Sequence, residues 1–189
     1  MASREYLSGR KKWYRPQAMI WSDKRFVLHN GGFVPDEYEE GVDFIVITDH
    51  NRDAIELTPQ RIEARSRMIN GTSRSYFTAD KVKLSTSWSM LPSRIATMPV
   101  AFDEVSGARI TGGEAYVADD ASSANDIKDW YDTHPGDFYV YLSYDLGSET
   151  DSMDKYIVEL RMFFESASFS IQKRGIVDMW NINISLDEV

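Results

Sequence analysis

The sequence predicts a mainly β fold, an antiparallel sandwich or barrel with one packed helix. Three observations carry that expectation. From Lys81 to Met90 the chain alternates without a break: Val82, Leu84, Thr86, Trp88 and Met90 on one parity, Lys81, Lys83, Ser85, Ser87 and Ser89 on the other. Period 2 over that length marks a strand with one face in a core and one facing outward. A second alternation, Tyr156, Val158, Leu160, Met162 and Phe164, shifts after Ser166 to Ala167, Phe169 and Ile171, which signals a β-bulge or bend inside one strand. Only one segment has a helical period: Ile127, Trp130, Tyr131 and His134 at i, i+3, i+4 and i+7.

The remaining elements follow in chain order. Met19–Trp21 and Phe26–Leu28 read as short strands parted by the turn-like Ser22-Asp23-Lys24, and Asn30-Gly31-Gly32 reads as a turn. Asp43–Thr48 is an apolar, β-branched run suited to a buried strand, and Ala54–Leu57 is a further candidate. Thr58-Pro59 has the form of an N-cap with Pro at the first helical position. Residues 59–69 nevertheless read better as extended, since Ile62 and Ile69 make no helical stripe. Residues 92–114 are loop-like, with a candidate strand at Met98–Phe102. Ser123 with Asp126 three residues on resembles a capping box, so the helix is expected over about 123–134, ended by His134-Pro135-Gly136. Phe138–Tyr144 is a strand with aromatics on both faces. Lys173-Arg174-Gly175 is a hairpin turn, and Ile176, Trp180, Ile182, Ile184 and Leu186 lie on the return strand, which is expected to be tied into the sheet.

Composition narrows the function. With 189 residues, 42% hydrophobic and 13% aromatic, the chain can bury a sizeable core; one domain over 18–189 with a basic arm at 1–17 is expected. There are no cysteines, which removes disulfides, thiolate metal sites and cysteine nucleophiles together. No apolar run approaches the ~20 residues of a membrane span, and no membrane partner is expected. Charge is uneven. Residues 1–83 hold 14 Lys/Arg against 12 Asp/Glu; residues 84–189 hold 7 against 18, so the second part accounts for the net −9. That acidity argues against specific nucleic-acid binding, which needs a concentrated positive footprint. It suits self-assembly, a basic edge of one subunit meeting an acidic edge of the next.

Catalytic constellations are not found. The three histidines, His29, His50 and His134, stand at no metal-ligand spacing. Asp49, His50 and Asp53 could hold a metal, but Asp and Asn after a strand are ordinary turn residues. Asp119-Asp120 could pair as carboxylates or take Ca²⁺, but acids also favour the positive end of the helix that follows. There is no phosphate-binding loop, dinucleotide fingerprint or nucleophile elbow. No enzyme activity and no cofactor are expected. Tyr139, Tyr141 and Tyr144, with Trp88 and Trp180, read first as core or subunit-contact residues; they could also form a sugar platform, which keeps a carbohydrate- or receptor-binding module as an alternative.

The run Arg61–Arg94, RIEARSRMINGTSRSYFTADKVKLSTSWSMLPSR, resembles a segment of tail proteins of long-tailed bacteriophages, the minor or distal tail proteins. The positions that carry the resemblance are Arg61, Ile62, Glu63, Arg65, Arg67, Met68, Ile69, Gly71, Arg74 and Tyr76, then Ala79-Asp80-Lys81, then Ser87-Trp88 and Leu91-Pro92. The ending WNINISLDEV is similar to the closing strand of such proteins. The two segments together span 44 of the 189 residues. It implies a tail-tube-like β-sandwich with a packed helix and a virion subunit made in the bacterial host cytoplasm. It further implies a ring, most often a hexamer, coaxial with the tail and touching tube and hub proteins, with no catalytic residues. A tail completion or head–tail joining protein is the alternative within the virion. Expected interface residues are Trp13 in the arm, Arg61, Arg65, Arg67 and Arg74 in the basic turn, and Glu149 and Asp151 in the acidic loop 147–154.

Overall fold

The computed structural model describes residues 19–29, 32–34, 40–69, 71–95, 116–117, 121–142, 158–173, 175 and 177–189. Nine strands and one helix occur among them: β1 (Met19–Ser22), β2 (Val27–His29), β3 (Gly32–Val34), β4 (Phe44–Ile47), β5 (Glu56–Arg67), β6 (Ser73–Pro92), α1 (Ala124–Thr133), β7 (Phe138–Leu142), β8 (Val158–Lys173) and β9 (Met179–Glu188). The fold is mainly β with one helix, as the periodicities require. Seven strands form one antiparallel sheet in the order β4-β1-β7-β8-β9-β6-β5; β2 and β3 form a separate hairpin. The expectations for residues 1–17, Met98–Phe102, Asp119-Asp120, Tyr144 and the loop 147–154 concern positions outside the described residues.

The sheet is open, not a closed barrel: among the described residues no ladder joins its outer strands β4 and β5. Yet these two strands are consecutive in sequence, separated only by residues 48–55. The sheet coils so that this short connection suffices. Residues 51–53 run along β6, with Asp53 N–H donating to Ser87 O at 2.9 Å and Ser89 N–H to Asn51 O at 3.1 Å. Trp88 Nε1 then donates across the interior to Thr48 O, just beyond β4, at 3.1 Å.

The coiled sheet encloses the main core, and a second cluster of Ile20, Phe26, Phe44, Val46, Ala121 and Tyr141 packs apart from it. Met19 and Trp21 of β1, Ile45 and Ile47 of β4, Leu84 and Trp88 of β6 and Ile182, Ile184 and Leu186 of β9 meet in the main core. Ala124, Ile127 and Trp130 of α1 close the open side. Each large side chain so buried stabilises the fold by about 1.5–3 kcal/mol relative to exposure. The helix begins as its sequence requires: Ser123 accepts from Asp126 N–H while Asp126 accepts from Ser123 N–H at 2.8 Å. It ends at His134, whose ring stacks on Trp130 with centroids 3.7 Å apart.

One sequence expectation is met in detail and one is corrected. Residues expected to be extended over 59–69 are in β5 as far as Arg67, and Thr58 and Pro59 lie in the same strand, where Pro59 is tolerated because β5 is the sheet edge and its missing N–H breaks no second ladder. Met90 does not follow Trp88 into the core. It sits at φ 56° and is 38% exposed, and the β6–β9 register shifts between Trp88 and Leu91. Leu91 takes the interior position instead, fully buried. The bulge predicted in β8 is present, between Phe164 and Ser166.

Candidate assembly surface

Strand β6 is 20 residues long, but its pairing with β9 begins only at Lys83. From Ser73 to Val82 it pairs with β5 alone, so Pro59–Arg67 and Ser73–Val82 form a two-stranded arm beyond the body of the sheet. Neither face of the arm meets the core, and nearly every residue on it is exposed. Gly71, at φ 82°, turns the chain at the tip, where its N–H donates to Met68 O at 2.9 Å.

Cross-strand register sorts the arm into two faces. Ile62 lies opposite Ala79 and Ala64 opposite Tyr76, which makes one face largely apolar. Arg61 lies opposite Asp80 and Arg65 opposite Ser75 on the other, polar face. The exposed apolar groups are large: Ile62 at 49% and Tyr76 at 55% on the apolar face, Phe77 at 60% on the polar face opposite Glu63, with Met68 and Ile69 at the tip. Surface apolar residues scattered singly are ordinary, whereas several large ones on one ribbon make it a candidate interaction surface.

The four arginines expected at the interface are all on this arm, and the structure divides them. Arg61 donates through Nε and Nη2 to the two oxygens of Asp80, at 3.0 and 3.4 Å, and its guanidinium lies 5.8 Å from the Phe77 ring centre. The hydrogen bond to Asp80 raises the Arg61 pKa further. Arg65 pairs with Glu63, which also accepts from Ser75 Oγ at 2.6 Å; these bonds hold the Glu63 carboxyl below its ordinary value. Arg67 and Arg74, flanking the tip, have no acidic partner among the described residues. They are the arm's uncompensated cations. Trp13, Glu149 and Asp151, the other expected contacts, lie outside the described residues.

A second charged pair ties the base of the arm to the sheet. Lys83 of β6 bridges to Glu165 at the β8 bulge, and Glu165 also accepts from Ser185 Oγ of β9 at 2.7 Å. The Glu165 pKa is lowered, first by Lys83 and then by Ser185, and that of Lys83 is raised by Glu165. A lowered carboxyl stabilises the fold above its unfolded value near 4.3 and loses that contribution as pH falls through the folded value. A raised lysine stabilises below about 10.4 and loses its contribution as pH rises through the folded value. The pair therefore supports the sheet fully between about pH 4.5 and 10. Glu165→Gln should flatten the acid limb of a melting-temperature profile below pH 4.5 and leave the alkaline fall of the other lysines in place.

Other candidate sites do not assemble. Tyr141 is no sugar platform: it is fully buried, packed flat on Phe26 with centroids 4.2 Å apart. Its hydroxyl accepts from Phe26 N–H at 2.7 Å and donates to Glu159 at 2.9 Å. Burial and the Glu159 contact raise its pKa well above the ordinary tyrosine range. Tyr141→Phe leaves a buried N–H without an acceptor and should cost about 1–3 kcal/mol, read by urea denaturation. Asp49, His50 and Asp53 form a turn: His50 N–H donates to Thr48 Oγ1 at 3.0 Å, Arg52 N–H to Asp49 O at 3.3 Å, and Asp53 accepts from Ser87 Oγ. Among the described residues no three His, Asp or Glu side chains converge on a metal position, and no helix is long and apolar enough to cross a membrane.

No protein-family model matches the sequence, and no curated protein matches it. Among solved structures, a chain described as "Tail of empty GTA particle computed with helical refinement, C6 symmetry" is similar over 76% of this chain and 81% of its own. The identity is 9% and the TM-score 0.38, values at which neither fold nor function is transferred.

Proposed function

We propose that the chain is a structural subunit of a bacteriophage tail, a distal or minor tail protein that assembles into a ring coaxial with the tail and joins neighbouring tail components. The observation that carries this reading is the β5–β6 arm. A two-stranded ribbon is marginal in water unless something covers it, and this one shows Ile62, Tyr76 and Phe77 to solvent on an otherwise well-packed domain. Strand β5 is also a 12-residue sheet edge, a ready template for a neighbour. Subunits that contact one another head to tail close into rings when the rotation allows. The sequence resemblance of residues 61–94 to phage tail proteins supplies the virion setting and the expectation of a hexamer, with tube and hub proteins as neighbours. In this reading the protein has no catalytic role, takes no cofactor and binds no specific nucleic acid. A tail completion or head–tail joining ring is the alternative that the same arm would serve.

Native mass spectrometry at two salt concentrations tests it. A ring-sized oligomer is expected, shifting toward monomer at high salt because charged contacts are screened. A monomer across the whole concentration range overturns self-assembly.

A further inference from the structure

The two ends of the seven-stranded sheet are finished differently. At β4 the outer edge is closed: Ser122 N–H donates to Val46 O at 3.0 Å, and Ser122 Oγ accepts from Thr48 N–H at 3.1 Å. Strand β5 has no such cover. Among the described residues it pairs only with β6, so a 12-residue row of backbone donors and acceptors stands open. The register shift at Ile62/Glu63 takes its extra residue, Thr78, from β6, so β5 itself alternates without a break. Leu57 packs against the main core, and Pro59, Arg61, Glu63, Arg65 and Arg67 share its parity. Thr58, Gln60, Ile62 and Ala64 lie on the opposite face.

We propose that this edge pairs with the same edge of a second copy of the chain, antiparallel, about a two-fold axis at Ile62. The inference rests on the reading of the arm as an assembly surface and commits its edge to a second copy. The charge pattern selects both partner and register. Directly opposite residues of an antiparallel pair share a face, so each residue meets one of its own parity. Centred on Ile62, Arg61 lies opposite the partner's Glu63, and Glu63 opposite the partner's Arg61; all of β5 but Glu56 is paired. The neighbouring registers fail. Centring on Glu63 sets that residue against its own copy and Arg61 against the partner's Arg65. Centring on Ala64 sets Arg61 against the partner's Arg67, and centring on Arg61 or Arg65 brings two arginines together on the axis. Charges on an edge strand ordinarily prevent pairing. Here they oppose the neighbouring registers and permit one. In it a polar row crosses four strands: Asp80, Arg61, the partner's Glu63 and the partner's Phe77. On the other face Ile62, half exposed in the single chain, is covered by the partner's Ile62, with Ala79 beside each. Pro59 falls opposite the partner's Arg65, away from the axis, so its missing N–H does not interrupt the centre of the ladder. A two-fold contact closes on two copies and is distinct from the head-to-tail contacts that close a ring.

The chain has no cysteine, so single-cysteine variants of the full-length protein read the register through disulfide formation. Ile62→Cys sits on the axis and is expected to oxidise to a linked dimer. Gln60→Cys alone and Ala64→Cys alone are not, because each lies about 14 Å along the strand from its own copy, beyond the roughly 7 Å that a disulfide spans between Cα atoms. The two variants mixed before oxidation are expected to link to each other, since Gln60 lies opposite the partner's Ala64. Glu63→Arg, added to Ile62→Cys, places like charges on both sides of the axis and should slow linking by about tenfold or more. Glu56→Arg makes the same change in charge outside the paired residues and should leave the rate unchanged. Circular dichroism checks the fold of each variant. No linked dimer from Ile62→Cys, equal yields at positions 60, 62 and 64, or no effect of Glu63→Arg overturns the proposal. Native mass separates it from the ring reading. A ring whose Ile62→Cys chains stay unlinked overturns the edge pairing alone, whereas a linked dimer that forms no ring keeps the edge pairing and overturns the ring.

Discussion

Trp88→Ala lowers the unfolding free energy by about 3–5 kcal/mol, the range for emptying an aromatic site in a close-packed core. Trp88 is 1% exposed and sits where the two ends of the coiled sheet come together. Its ring belongs to β6, and its Nε1 holds the carbonyl of Thr48 at the end of β4. Alanine removes the packing and also leaves that buried carbonyl without its donor. Trp88→Phe separates the two effects. It keeps most of the aromatic volume and loses the hydrogen bond, so it should cost roughly 1–3 kcal/mol. Chemical denaturation of both variants, at equal slope against denaturant, is the measurement. A loss under 1 kcal/mol for Trp88→Ala would mean that the crossover from β4 to β5 is held by something other than this contact.

In the proposed ring, Arg67→Glu with Arg74→Glu is expected to abolish the oligomer and leave the monomer folded. The two cations flank the tip of an arm that touches no core, so reversing them disturbs no packing. They differ from Arg61 and Arg65, which are already neutralised within the arm by Asp80 and Glu63. At each contact a neighbour's acidic surface would meet two charges of the wrong sense, and like-charge juxtaposition costs several kcal/mol across an interface. Native mass gives the assembly state, and circular dichroism with the melting temperature gives the fold. Retention of a full ring would place the contact elsewhere on the molecule. Loss of the fold would show that the arm has a structural task within its own subunit.

Much of the architecture was legible because burial on one face imposes a period. The β6 alternation, the parity flip that became the β8 bulge and the Ser123–Asp126 cap all have one physical cause each, and each cause is local. Residues 61–80 carry a weaker signal for the opposite reason. Neither face of the arm is buried, so no alternation is imposed; its extended form is read from the lack of a helical stripe, and its use from the arginine density and the resemblance. Met90 was misplaced because a bulge with positive φ normally announces itself with glycine, and here a methionine adopts it. Tyr141 is a core residue, the commoner reading of such aromatics: β7 is buried on both faces, Val140 and Leu142 in the main core and Tyr141 against Phe26 and Phe44. Aromatics on both sides of a strand read alike whether they face sugar or a second layer.

Strand β9 stands between β8 and β6, and its two ladders set the β4-β1-β7-β8 strands beside the β6-β5 pair. With residues 179–188 withdrawn, a slot opens between β8 and β6, lined on both sides by backbone donors and acceptors without partners. The run 51–53 along β6, the Trp88–Thr48 hydrogen bond and the Lys83–Glu165 pair still join the two groups across that gap. Two facing unpaired edges are a template for a foreign strand, so β9 protects the sheet from mispairing as well as completing it.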